Sequence, residues 1–214
     1  GLVTDVLLYE QFPPNYLSYT LREHRWVRGD WQLLPWLFGY VPYAGSGRIS
    51  TVLSLLDRWK ILDNLLRSLQ TPALLVMFIL GWLYLPGRPW VWTAITLMAS
   101  ATHLITVGIQ QLKERLAGAN PDHVERPLAH ATLRWLLDLA FLPYHALLTL
   151  DAIGRTLFRI LITRRHLLQW TTAAHTAKRF GSRGPFFLAW ARMGFAPFIA
   201  LGIGLAIGTV NPST

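Results

Sequence analysis

The chain has 214 residues, no cysteine, ten tryptophans and a formal charge of +9; 52% of it is hydrophobic and its mean hydropathy is +0.33. Without cysteine there is no disulfide framework, zinc–thiolate site or thiol nucleophile, while an apolar, tryptophan-rich chain points to a bilayer and its interfaces. The basic residues stand beside apolar segments, as cytoplasmic flanks do, and no nucleic-acid module signature accompanies them, so nucleic acid is set aside as a partner.

The chain starts at Gly1 with no methionine, basic n-region or signal peptide, and is expected to be a fragment of a larger polypeptide. Residues 1–15 alternate weakly and end in Pro13-Pro14, the pattern of a strand followed by an extended turn. Asn15 or Ser18 is placed to cap a helix running through Arg22, His24, Arg25, Trp26, Arg28 and Trp31. Pro35, Gly39, Pro42, Gly45 and Gly47 make the next segment irregular. A second helix is predicted over Ser50 to Leu69, and Asp57, Arg58, Lys60, Asp63 and Arg67 hold it at the interface.

Two membrane spans are predicted next. Residues 68–85 give about 27 Å of helix, just enough for a hydrocarbon core of roughly 30 Å. After the turn Pro86-Gly87-Arg88-Pro89, residues 89–109 return as the second span. Arg58, Lys60 and Arg67 flank one side and Lys113, Arg115 and Arg126 the other, so both flanks are cytoplasmic and the turn is outside. His103, inside the second span, either lines a path or bonds a neighbouring helix.

Residues 110–130 read as a polar loop; His123 and His130 within it have Pro127 between them and no metal-ligand spacing. From Leu133 to Ile162 the chain is apolar but carries Arg134, Asp138, His145, Thr149, Asp151, Arg155 and Arg159 within a wedge of roughly 160°. That amphipathic pattern, broken or bent near Pro143, predicts interfacial or half-buried helices. Pro185 to Val210 is the third span, with Arg192 at its cytoplasmic end and Gly204 and Gly208 at close-packing spacing. No internal repeat is apparent.

Around the first helix the residues carry a resemblance. Glu10-Gln11-Phe12-Pro13 is followed by Arg25-Trp26, Arg28-Gly29 and Gln32. This resembles the Glu-x-x-Pro and Gln-x-x-Arg-Trp-x-x-Gly-x-x-Gln elements of membrane-bound processive glycosyltransferases, with Arg22 standing where the motif has its first glutamine. The wording His24 to Gln32, Arg58-Trp59-Lys60-Ile61-Leu62-Asp63-Asn64-Leu65, Phe141-Leu142-Pro143-Tyr144 and Thr163 to Trp170 is similar to cyclic β-1,2-glucan synthases. The likeness runs from about Val3 to Trp170.

The resemblance implies a UDP-glucose donor, a glucan acceptor, an inverting transfer and Mg²⁺ whose ligands, with the general base, lie upstream. Arg25 would bind the diphosphate, supplemented by Arg22 and Arg28, because a guanidinium fork matches phosphate and stabilises charge growing on the leaving group. Trp26 would meet the acceptor glycan. His24, Asp30, Gln32 and Glu10 would support the site; Trp31, five residues past Trp26, is expected to pack or to sit in the membrane belt. The competing roles are an interfacial arginine attracting anionic lipid and a belt tryptophan.

The expected fold is mainly α, with membrane and amphipathic interfacial helices and a short N-terminal remnant of a GT-A-like α/β domain. Residues 1–49 would end the glycosyltransferase domain, 50–130 hold the interfacial helix, membrane hairpin and loop, 131–184 the amphipathic helices, and 185–214 the third span. The expected setting is the bacterial inner membrane, multi-pass, with the remaining domains of the parent as partners and the fragment alone inactive. A membrane scaffold or transport subunit, or a glucosyltransferase of different linkage, is the alternative.

Overall fold

A computed structural model describes residues 16–42, 48–50, 53–118, 121–165, 190 and 193–210. These residues are mainly helical. The strand expected over residues 1–15, and with it the GT-A-like remnant and Glu10, lies outside them.

The motif forms helix α1, Tyr16–Gln32, so Asn15 immediately precedes it and Ser18 is inside it. Its buried positions Leu17, Thr20 and Val27 follow the spacing of a single helical stripe. Past Gln32 the chain is more regular than expected. A 3-10 turn, Leu34–Phe38, is closed by Gly39 at φ 75°, a left-handed conformation suited to glycine. Two short strands then pair antiparallel, β1 (Tyr40–Pro42) with β2 (Arg48–Ser50), in the register Tyr40 to Ser50 and Pro42 to Arg48.

The two helices expected over 50–69 and 68–85 are one helix, α2, Leu55–Leu83. Its 29 residues extend about 43 Å at 1.5 Å per residue. Ser54 starts it, its Oγ accepting from the Asp57 amide at 3.1 Å. Nothing between Leu66 and Thr71 breaks helical geometry, and Pro72 is buried within the helix rather than starting one. The charged first turns and the apolar last turns therefore belong to one rod. It is the one described helix that is by itself long and apolar enough to cross a membrane.

The second predicted span is bent. Helix α3, Pro89–Ser100, meets α4, Thr102–Leu116, at 64° across Ala101. The Ser100 hydroxyl donates to the Leu97 carbonyl at 2.8 Å and the Thr102 hydroxyl to Ala99 at 2.8 Å. Such bonds compete with the backbone ladder and bend helices. The α2–α3 hairpin itself is tight: a Cβ on Gly81 would lie 2.6 Å from Trp92 Cβ, and Trp82 Nε1 donates to Thr93 Oγ1 at 2.9 Å.

The loop predicted over 110–130 is largely helical, because α4 continues to Leu116 and α5 spans Pro121–Ala140. Pro121 and Pro127 did not stop it: the first falls at the helix start, where proline fits. Trp135 of α5 donates from Nε1 to Ser100 Oγ at 2.9 Å, tying α5 to the α3–α4 bend. The bend expected near Pro143 is present: α5 and α6, Leu142–Phe158, meet at 65°, with Pro143 in the first turn of α6. A π-helical turn, Arg159–Thr163, prolongs α6. Each bent pair would be a further span if it crossed as a unit.

The described part of the third predicted span is helix α7, Phe195–Val210. It is 16 residues, about 24 Å, and Arg192 lies outside the described residues. It packs against α2 and α6, with the Phe195 ring 6.1 Å from that of Tyr144. At the centre, α1, α2 and α6 converge on Val27, Ala152 and Ile153, with Trp31, Leu69 and Leu157 around them.

Candidate functional site

The motif helix is held by α6. The contacts rise together along both helices, so the two run parallel: Tyr16 stacks on Phe141 at 4.6 Å, Thr20 meets Tyr144, His24 meets Asp151, and Val27 packs on Ala152 and Ile153. Along this seam polar groups pair as well as apolar ones. Tyr16 Oη bonds to His145 Nε2, and His145 Nδ1 lies 3.1 Å from a Glu23 carboxylate oxygen. Further along, His24 Nε2 donates to Asp151 Oδ2 at 3.0 Å, and Arg155 Nε donates to Asp151 Oδ1 at 2.7 Å. Trp31 Nε1 donates to Ser68 Oγ at 2.9 Å, which fastens the end of α1 to α2 and gives Trp31 packing, one of the two roles expected of it.

With the seam occupied, the remaining motif side chains are distributed by helical geometry. Counted at 100° per residue, Arg25 lies about 130° from the middle of the seam, and Arg22 and Trp26 lie on the same outward half. Trp26 is 55% exposed. Arg22, which replaces the motif glutamine, sets its guanidinium 4.3 Å above the Trp26 ring. A cation over an indole is held by the ring quadrupole, worth about 0.5–1 kcal/mol at an exposed site. One indole face is thus covered by Arg22 while the rest of the ring is presented. Gly29, one turn beyond Arg25, has open space where a side chain would begin. Arg28 stands on the other flank of α1, beside α6. The structure therefore brings Arg22 and Trp26 together on one half of the helix with Arg25, and places His24 and Arg28 against α6.

Asp30 is partly buried, and burial alone raises its pKa; among the described residues no ion pair joins it to an arginine. Gln32 ends α1. Among the described residues no three of His, Asp or Glu gather to hold a metal ion.

Sequence reasoning gave the holding of α1 to none of the residues that do it: Tyr16 and Glu23 were not singled out, and His145 and Asp151 were placed on an interfacial wedge. The signal was the polar wedge on the stretch after Leu133, assigned to an interface when part of it faces the motif helix. An amphipathic pattern reports which residues share a face but not what covers that face.

The His24–Asp151 contact carries a pH dependence. Burial pushes the His24 imidazole below its ordinary 6.5; the Asp151 hydrogen bond and charge oppose this, and Arg28 and Arg155 reinforce it. A depressed folded pKa contributes stability that is complete above about 6.5 and is lost as pH falls through the folded value. Melting of the purified parent protein is expected to drop between pH 7 and 5 more in wild type than in His24→Gln. Equal slopes would show that His24 does not titrate against the fold.

No protein-family model matches the chain. It is 36% identical over 217 aligned residues, 99% of its length, to cyclic β-(1,2)-glucan synthase NdvB of Rhizobium meliloti (strain 1021), and spans 7% of that protein. The likeness read from the motif residues thus extends over essentially the whole chain, including the segments beyond Trp170.

Proposed function

We propose that this chain is the membrane-interface segment of a glucosyltransferase that builds cyclic β-1,2-glucan from UDP-glucose with inversion at the anomeric carbon. The observation that carries this reading is the 36% identity along 99% of the chain to a cyclic β-(1,2)-glucan synthase. The geometry of α1 is consistent with it: Trp26 is exposed on the half of the helix away from the core, where the helical count also places Arg25, while the helix is anchored from behind.

In this reading Arg25 binds the donor diphosphate and stabilises the charge that develops as the glycosidic bond breaks. Trp26 offers an indole surface to the acceptor sugar, and Arg22 holds that ring in place. His24 positions the helix through Asp151. The general base, and the Mg²⁺ with its ligands, belong to other parts of the parent, and no step here is routed through the metal. The setting is the bacterial inner membrane, with α2 crossing and the motif on the cytoplasmic side. The bilayer, the acceptor glucan and the remaining domains of the parent are the partners.

The test is synthesis by inner-membrane vesicles containing the full-length parent, supplied with labelled UDP-glucose, with the linkage of the product determined. A β-1,2-linked glucan is expected. Another linkage would reassign the product, and no glucan from correctly inserted protein would favour a scaffold or transport subunit.

A further inference from the structure

A second cationic cluster lies on the flank of α1 away from Trp26. Since α1 and α6 run parallel and His24 meets Asp151, Arg28, one turn after His24, arrives beside Arg155 and Arg159, one and two turns after Asp151. Asp151 is already engaged on both oxygens, by His24 at 3.0 Å and by Arg155 at 2.7 Å. The neighbouring carboxylate of Glu23 is turned to His145. Arg28 Nε is buried and has no hydrogen-bond partner. A buried guanidinium N–H without an acceptor is costly, and guanidinium groups brought together repel unless an anion lies between them. Burial and then the like charges of Arg159 and Arg155 accordingly push the Arg28 pKa down.

The surroundings point to the source of the anion. Phe158 and Ile162, at the end of α6 and in its π turn, are 53% and 67% exposed. Arg164 and Arg165 follow directly, with Arg164 ending the turn at φ 51°. Apolar side chains next to a row of arginines match a lipid, whose acyl chains meet the former and whose phosphate meets the latter.

We propose that Arg28, Arg155 and Arg159 form a site for the phosphate ester of an anionic phospholipid, whose acyl chains lie along Phe158 and Ile162. The phosphate would supply the acceptor that Arg28 Nε lacks and bridge α1 to α6, so that lipid binding fixes the motif helix at the membrane surface. The site does not depend on which sugar donor the parent uses. It separates Arg28 from the diphosphate role expected for it in sequence.

The test uses the full-length parent purified in a nonionic detergent. Its melting temperature is followed while dihexanoyl phosphatidylglycerol, dihexanoyl phosphatidylcholine, inorganic phosphate or UDP is titrated separately. Phosphatidylglycerol is expected to raise the melting temperature saturably, while phosphatidylcholine and phosphate do not. In Arg28→Gln/Arg155→Gln/Arg159→Gln its half-saturating concentration should rise about tenfold or more, the size expected for lost charge-assisted hydrogen bonds. The lysine triple variant, which keeps the charge, should fall between the two. Should the glutamine triple variant fail to fold, Arg155→Gln alone, at an exposed side chain, should show a smaller shift in the same direction. Equal half-saturation in wild type and the glutamine variants overturns the proposal. Arginine-dependent stabilisation by phosphate or UDP, without a response to phosphatidylglycerol, overturns the lipid and assigns the cluster to a soluble phosphate.

Discussion

Replacing Arg25 by alanine in the full-length parent is expected to lower glucan synthesis from UDP-glucose by about 10²-fold or more, the usual loss for a group that stabilises transition-state charge. The fold predicts that this variant stays folded and inserted, because Arg25 lies on the half of α1 opposite the Val27–Ala152–Ile153 core. Arg25→Lys separates charge from shape: it keeps a cation but not the planar fork, and should recover only part of the rate. Assays at matched protein level in membrane vesicles decide the point. Synthesis at the wild-type rate by Arg25→Ala would make Arg25 an interfacial anchor for anionic lipid and would withdraw the donor role.

What could be read in sequence was mostly local. The motif helix, the mainly α class and the bend at Pro143 follow from residues acting on their immediate neighbours: periodic apolar positions and a proline that resists helix before it. The resemblance carried by His24 to Gln32 was legible for the same reason, being contiguous, and the similarity to the glucan synthase extends it across the chain. The failures were of continuity. The predicted division between the interfacial and membrane helices rested on a change from charged to apolar residues, but backbone hydrogen bonding does not respond to such a change, and α2 passes through it unbroken. Conversely, the break at Ala101 has no proline or charge to announce it; the Ser100 and Thr102 hydroxyls bond to the preceding turn there, and Trp135 arrives from α5 to bond Ser100. The seam that holds the motif was hidden because Tyr16 and His145, or His24 and Asp151, are more than a hundred residues apart in sequence. Spacing within one helix contains no information about a partner at that distance.

The α1–α6 seam makes a prediction of opposite signs at two positions of one helical turn. Ala152 is completely buried against Val27, whereas a Cβ added at Gly154 would meet nothing within 4 Å. Ala152→Leu must force side chains into an occupied space and is expected to destabilise by about 1–3 kcal/mol. Gly154→Ala removes backbone freedom from the unfolded chain at an open helical position and is expected to stabilise by roughly 0.5–1 kcal/mol. Melting of the purified parent should therefore move down for the first and up for the second. Activity should follow for a reason separate from stability: pushing α6 away from α1 displaces Arg25 and Trp26 together, so Ala152→Leu lowers glucan synthesis even well below its melting temperature. Gly154→Ala leaves that geometry intact and keeps the wild-type rate. If Ala152→Leu melts like wild type, α1 does not pack on α6 as described. If Gly154→Ala destabilises, that face of α6 is covered by another part of the parent, and the same variant then locates where the rest of the polypeptide sits on the helix.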